Sequence, residues 1–159
     1  MPNIIGHCWQ PNRPSEILRT LEIKYESESK NMSMSLAQKL AADSVAAVAE
    51  GRNLQDVLAE IRAAHPQLTV QENGALQDIA YGCQRYLGSL KHMLGQMLKK
   101  PIDNPQLESL LLAAMYQLHY TRNAPHAVVN EAVESIAKIG RGQFRSFANA
   151  ILRRFLRER

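Results

Sequence analysis

Aromatic residues are scarce in this chain: one Trp, five Tyr and three Phe, about 6% of the sequence. Strands favour aromatic and β-branched side chains, so this scarcity, beside abundant Ala and Leu, disfavours sheets and favours helices. Cysteine is scarcer still. Cys8 and Cys83 stand far apart with no CxxC spacing, which excludes a disulfide framework and points to a reducing, cytoplasmic setting. No apolar run approaches the ~20 residues that span a bilayer, and the N-terminus lacks the basic-then-apolar layout of a secretion signal. The 159 residues suit one domain. A chain of that size buries roughly 70% of its unfolded surface and needs no metal or disulfide staple.

Candidate chemistry is equally thin. His7, His65, His92, His119 and His126 form no i, i+4 pair on one helix, so no metal site is expected. Cys83 falls on an apolar stripe and reads as a core thiol. Ser135 and Ser146 have no base at useful spacing. Glu131 and Glu134 read as acidic residues near a helix start, where the helix dipole favours negative charge, rather than as an acid–base pair. No glycine fingerprint opens a helix after a strand, which removes a dinucleotide site. No catalytic residue and no cofactor are expected in this chain.

What is present is helical periodicity. Residues 1–33, broken by Pro2, Pro11 and Pro14, read as a poorly ordered N-terminal extension, with Met32 and Met34 as candidate natural starts. Residues 34–159 read as the domain. Leu36, Leu40, Ala41, Val45 and Val48 form a first stripe ended by Gly51. Asn53 caps a second helix carrying Leu54, Val57, Leu58 and Ile61. A third carries Leu76, Ile79, Ala80, Cys83 and Leu87, with Gly88 as its break before Leu90, Leu94 and Leu98. A helix from Gln106 to Tyr120 is apolar nearly all round and is expected to be central. Pro125 suits the first turn of the next, whose buried face is Val129, Ala132, Val133 and Ile136. A last helix carries Phe144, Phe147, Ala148, Ile151, Leu152 and Phe155. The fold class is all-α: a helical bundle with one buried central helix.

Charge is spread unevenly. Residues 32–137 hold eight basic and ten acidic side chains, whereas residues 138–159 hold seven basic and one acidic. Arg141, Arg145, Asn149, Arg153 and Arg157 follow at steps of four, with Arg154 alongside, and guanidinium forks suit phosphate geometry. The segment's own sequence offers them only Glu158 as a compensating charge. Gly140-Arg141-Gly142 reads as a helix opening whose free N–H groups attract anions, and Arg141 is then placed against the dipole at a small cost.

These residues stand in a familiar order. Ala114-Met115-Tyr116-Gln117-Leu118-His119-Tyr120, Ala124-Pro125-His126-Ala127, Val129-Asn130-Glu131-Ala132-Val133-Glu134 and Phe147-Ala148-Asn149-Ala150-Ile151-Leu152-Arg153-Arg154 resemble the NusB family, from about Leu36 to Arg159. Two branches share that fold. One is a stand-alone antitermination factor that binds boxA-like RNA with a ribosomal protein. The other is the N-terminal domain of bacterial 16S rRNA cytosine-C5 methyltransferases, which Pro125-His126-Ala127 and the Asn149 to Arg154 block resemble more. The resemblance implies an RNA-binding domain, with rRNA as partner and a catalytic domain in cis. That domain, absent here, would carry S-adenosylmethionine. It also leaves room for a scaffold whose last helix docks on the catalytic domain. The RNA contacts implied are Arg141, Arg145, Arg153, Arg154 and Lys39. Gln38 and Lys39 stand where the family's first helix is richer in arginine, which shifts weight to the last helix, and to Arg141 and Arg145 above all. Asn130, Glu131 and Asn149 are structural motif residues, the asparagines expected to bridge packed helices.

Overall fold

The computed structural model describes residues 34–159; the expected extension over residues 1–33, with His7 and Cys8, lies outside them. Among the described residues the chain forms seven α-helices and no strand. They are α1 (34–49), α2 (Leu54–Ala64), α3 (Val70–Arg85), α4 (Leu87–Met97), α5 (Pro105–Tyr120), α6 (Pro125–Ala137) and α7 (Arg145–Glu158), with a 3₁₀ turn at Ile139–Gly142 before α7. None is long and apolar enough to cross a membrane.

Local chemistry accounts for the boundaries. Gly51, at φ 94°, ends the turn after α1 in a conformation open to glycine. The Asn53 side chain accepts from the N–H groups of Gln55 and Asp56 and starts α2. Thr69 and Glu72 form a reciprocal capping box at α3. The break between α3 and α4 falls at Tyr86 rather than Gly88, which lies in the first turn of α4. Pro105 and Pro125 open α5 and α6, where a missing N–H costs nothing.

α5 is the hub. Leu107 and every residue from Ser109 to Leu118 are buried, and α3, α4, α6 and α7 all pack on it. Gly82 of α3 lets the two helices close up: a Cβ there would lie 2.0 Å from Tyr116 Cζ. Tyr116 donates to Asp78 Oδ1 at 3.3 Å, and its ring joins a stack in which Tyr86 and Tyr120 lie 4.0 Å apart. Cys83 is fully buried, with its thiol pushed up to about 12 by burial.

The core also holds an amide pair that reads as surface in the sequence. Gln38 of α1 and Gln117 of α5 are both fully buried. Gln38 Nε2 donates to Gln117 Oε1 at 2.6 Å and lies 3.5 Å from the Val128 carbonyl of α6. These glutamines, and not the expected asparagines, join packed helices through their side chains.

Candidate nucleic-acid interface

α7 is strongly two-sided. Ala148, Ile151, Leu152 and Phe155 are buried against the bundle, at the i, i+3, i+4, i+7 spacing that gathers one helical face. Phe144 is only partly buried and Phe147 is 36% exposed, so the apolar stripe extends beyond the bundle that was expected to cover it.

The turn before α7 differs from its expected form. Gly140, Arg141 and Gly142 have φ of 59°, 56° and 87°. They form a left-handed 3₁₀ turn, and α7 begins only at Arg145. Arg141 therefore stands outside the helix, and the expected row of five residues at steps of four loses its first member. A left-handed conformation costs a non-glycine residue about 1 kcal/mol, so the position is held by the turn rather than preferred by Arg141.

Arg145, Asn149 and Arg153 remain in line. With Asn130, Val133 and Glu134 of α6, and Ser146, they line one cleft between α6 and α7. Arg145, at the first position of α7, opposes the helix dipole, and Glu134 offsets it through an ion pair across the cleft. Glu134 is thus a second counter-charge, one that a count of residues 138–159 misses. Arg153 Nε donates to Asn149 Oδ1 at 3.0 Å. Asn130 is exposed and lines the cleft.

Other expected contacts lie elsewhere. Arg154 turns to the opposite flank of α7, pairing with Glu158 at 2.7 Å and pointing its Nη1 at the Met97 carbonyl, 3.5 Å away. Lys39 is exposed on α1 and lines a different cleft with Asp43, Glu50 and Lys138. Glu131 corrects another expectation. It lies in the seventh position of α6, beyond the first turn, and is only 8% exposed. Burial pushes its carboxyl up to about 7.

A model of the NusB family matches residues 35–157. The chain belongs to the NusB family. Its helical bundle, with α5 at the centre, is what the family resemblance implied. It is also similar to the ribosomal RNA small subunit methyltransferase B of Sodalis glossinidius (strain morsitans), 35% identical over 122 residues. That match covers 75% of this chain and 28% of the relative. The protein of the same name from Cronobacter sakazakii (strain ATCC BAA-894) is 32% identical over 124 residues, covering 76% and 28%. The chain spans about 28% of the length of these relatives.

Proposed function

We propose that this NusB-family domain binds single-stranded RNA along α7 and engages ribosomal RNA for a methyltransferase of the kind named in its relatives. The observation that carries the reading is the row of Arg145, Asn149 and Arg153 along one cleft, set in a segment with seven basic and one acidic side chains. Guanidinium groups on an exposed helix position a strand through its phosphates and carry little base specificity. Arg145 and Arg153 serve the cleft side, Arg141 adds a charge from the turn before α7, and Arg154 adds one on the other flank. In this reading the chain presents RNA, and a catalytic domain in cis supplies S-adenosylmethionine and the methyl transfer. The relatives' names favour this branch over an antitermination factor acting with a ribosomal protein.

The test is binding to a labelled 16S rRNA fragment across a salt series. With about four phosphates engaged on a single strand, log K falls against log salt with slope about −3. The double variant Arg145→Ala, Arg153→Ala is expected to reduce the slope to about −1.5. An affinity that ignores salt, or a double variant that binds like the parent, overturns the reading in favour of a protein-docking role for α7.

A further inference from the structure

A second concave surface lies on the flank of α7 away from the α6 cleft. It is a groove of about 670 Å³. Met97, Leu98 and Leu107 of the α4–α5 region line it, and Phe144 and Phe147 form its α7 wall. Lys99 and Lys100 stand at its rim, both exposed. Neither makes an ion pair among the described residues. Asp103 is also exposed in the lining, so the groove is apolar and aromatic within, and its lip carries two lysines against one carboxylate.

Phe147 shows what the groove is suited to hold. It belongs to the same apolar stripe as Phe155, which is 3% exposed, yet it remains 36% exposed. Large aromatic side chains are normally covered, because each buries a large apolar area. A flat apolar ring left open in a groove whose lip carries two lysines and one aspartate, a net positive charge, fits a ligand that is itself flat, apolar and attached to negative charge. A single-stranded nucleic acid has that chemistry: its bases stack on aromatic rings while its phosphates seek cations. Phe144 immediately precedes Arg145, so the groove and the arginine row come together at the start of α7 while facing different flanks. A strand with a phosphate on Arg145 reaches the groove by passing around the start of α7.

We infer that the groove formed by Phe144, Phe147 and the α4–α5 loop seats unstacked bases of the bound RNA, with Lys99 and Lys100 contacting the phosphates beyond them. This inference rests on the RNA-binding reading and adds a base-contacting site to it. The arginine cleft positions the strand, and the groove requires that the strand be unpaired. Duplex RNA keeps its bases stacked inside the helix, so it engages the arginines alone.

The experiment uses the full 159-residue chain and a short fluorescein-labelled oligouridylate, with an abasic oligomer of equal length as control. Phe147→Ala is expected to weaken oligouridylate binding about tenfold while leaving the salt slope unchanged, because stacking releases no counterions. Phe147→Tyr is expected to keep parent affinity. Lys99→Ala with Lys100→Ala is expected to lower the slope by about 1.4. The abasic oligomer is expected to bind the parent as weakly as oligouridylate binds Phe147→Ala. Circular dichroism establishes that Phe147→Ala folds, and a 4-thiouridine photo-crosslink to Phe144 or Phe147 in the unmodified chain supplies a readout independent of the variants. Parent-like affinity for Phe147→Ala, or equal affinity for the abasic strand, overturns the inference while leaving salt-dependent binding intact. That is the result expected if a protein segment occupies the groove. Failure of the parent to bind RNA at all overturns the broader reading as well.

Discussion

Helices α5 and α7 are close in length, 16 and 14 residues, and each carries a clear apolar stripe. α5 has neighbours on every side, so even Ser109 and Gln117 are buried. α7 has neighbours on one side, and only four of its residues are buried. The difference assigns two tasks. A change on α5 acts on folding, because no face of that helix is free of packing. A change on the outer face of α7 acts on whatever the domain meets, and leaves the fold nearly untouched. Four substitutions, taken from the largest expected effect to the smallest, break or sharpen this contrast.

The largest effect falls on α5 itself. Leu111 is fully buried, and Leu111→Ala is expected to cost about 3–4 kcal/mol through lost transfer energy and the cavity left behind. Urea denaturation measures it. RNA affinity under conditions where the variant stays folded is expected to match the parent. A loss of affinity in the folded fraction would erase the division of labour between the two helices.

The buried amide pair comes next. Gln38→Leu removes one partner and leaves Gln117 buried without it, at an expected cost of about 2 kcal/mol. Gln38→Leu combined with Gln117→Leu is expected to recover most of that loss, since an apolar pair leaves no amide unsatisfied between α1 and α5. A double-mutant cycle in urea checks the coupling. Strict additivity would show that the two side chains do not depend on each other.

Glu131 provides an effect that depends on pH. Its carboxyl is raised from 4.5 to about 7 in the fold, so between those values the native state binds a proton that the unfolded chain has released. Stability is therefore full below about 4.5 and falls as pH rises to about 7. Glu131→Gln is expected to match the parent at low pH and to exceed it by about 1–2 kcal/mol above neutrality, allowing for solvent screening at the rim. Thermal melts of both proteins across that range test it. A parallel pH profile for the two would assign the acid no such role.

The smallest effect belongs to the α7 side of the contrast. Glu134→Gln removes the carboxylate that pairs with Arg145 across the cleft. Exposed ion pairs contribute little to stability, so the melting temperature is expected to stay within experimental error. Arg145 is then free of its competitor, and RNA affinity is expected to rise about twofold. Reduced affinity would mean that Glu134 orients Arg145 rather than competing for it.

The same contrast explains what was legible in the sequence. α5 was plain because a helix that is apolar all round has only one place to go. The inner face of α7 was equally plain from Ala148 to Phe155. The groove was not: Phe144 and Phe147 continue the stripe without a break, and periodicity does not report that the α4–α5 loop leaves them half covered. The burial of Gln38 was not legible because its partners lie on α5 and α6, and a one-dimensional pattern does not register such pairings. Glu134 was hidden as a counter-charge for the same reason, being 11 positions from Arg145. The turn at Gly140-Arg141-Gly142 looked like the start of α7 because glycine spacing alone does not distinguish a helix opening from three left-handed residues. Asn130 was expected to bridge helices, and instead it lines the cleft.

The Gln38 contact has a consequence for how the domain is made. Gln38 leaves the ribosome among the first residues of the bundle, yet its partners lie 79 and 90 positions further along the chain. At ordinary synthesis rates the wait between them is on the order of ten seconds. Throughout it, the stripe of Ala37, Leu40, Ala41 and Val45 has no α5 or α6 to pack on, and its docking must close a long loop. The earliest of the described helices to be synthesised thus waits for its partners, and the nascent chain carries an exposed amphipathic segment until α6 emerges.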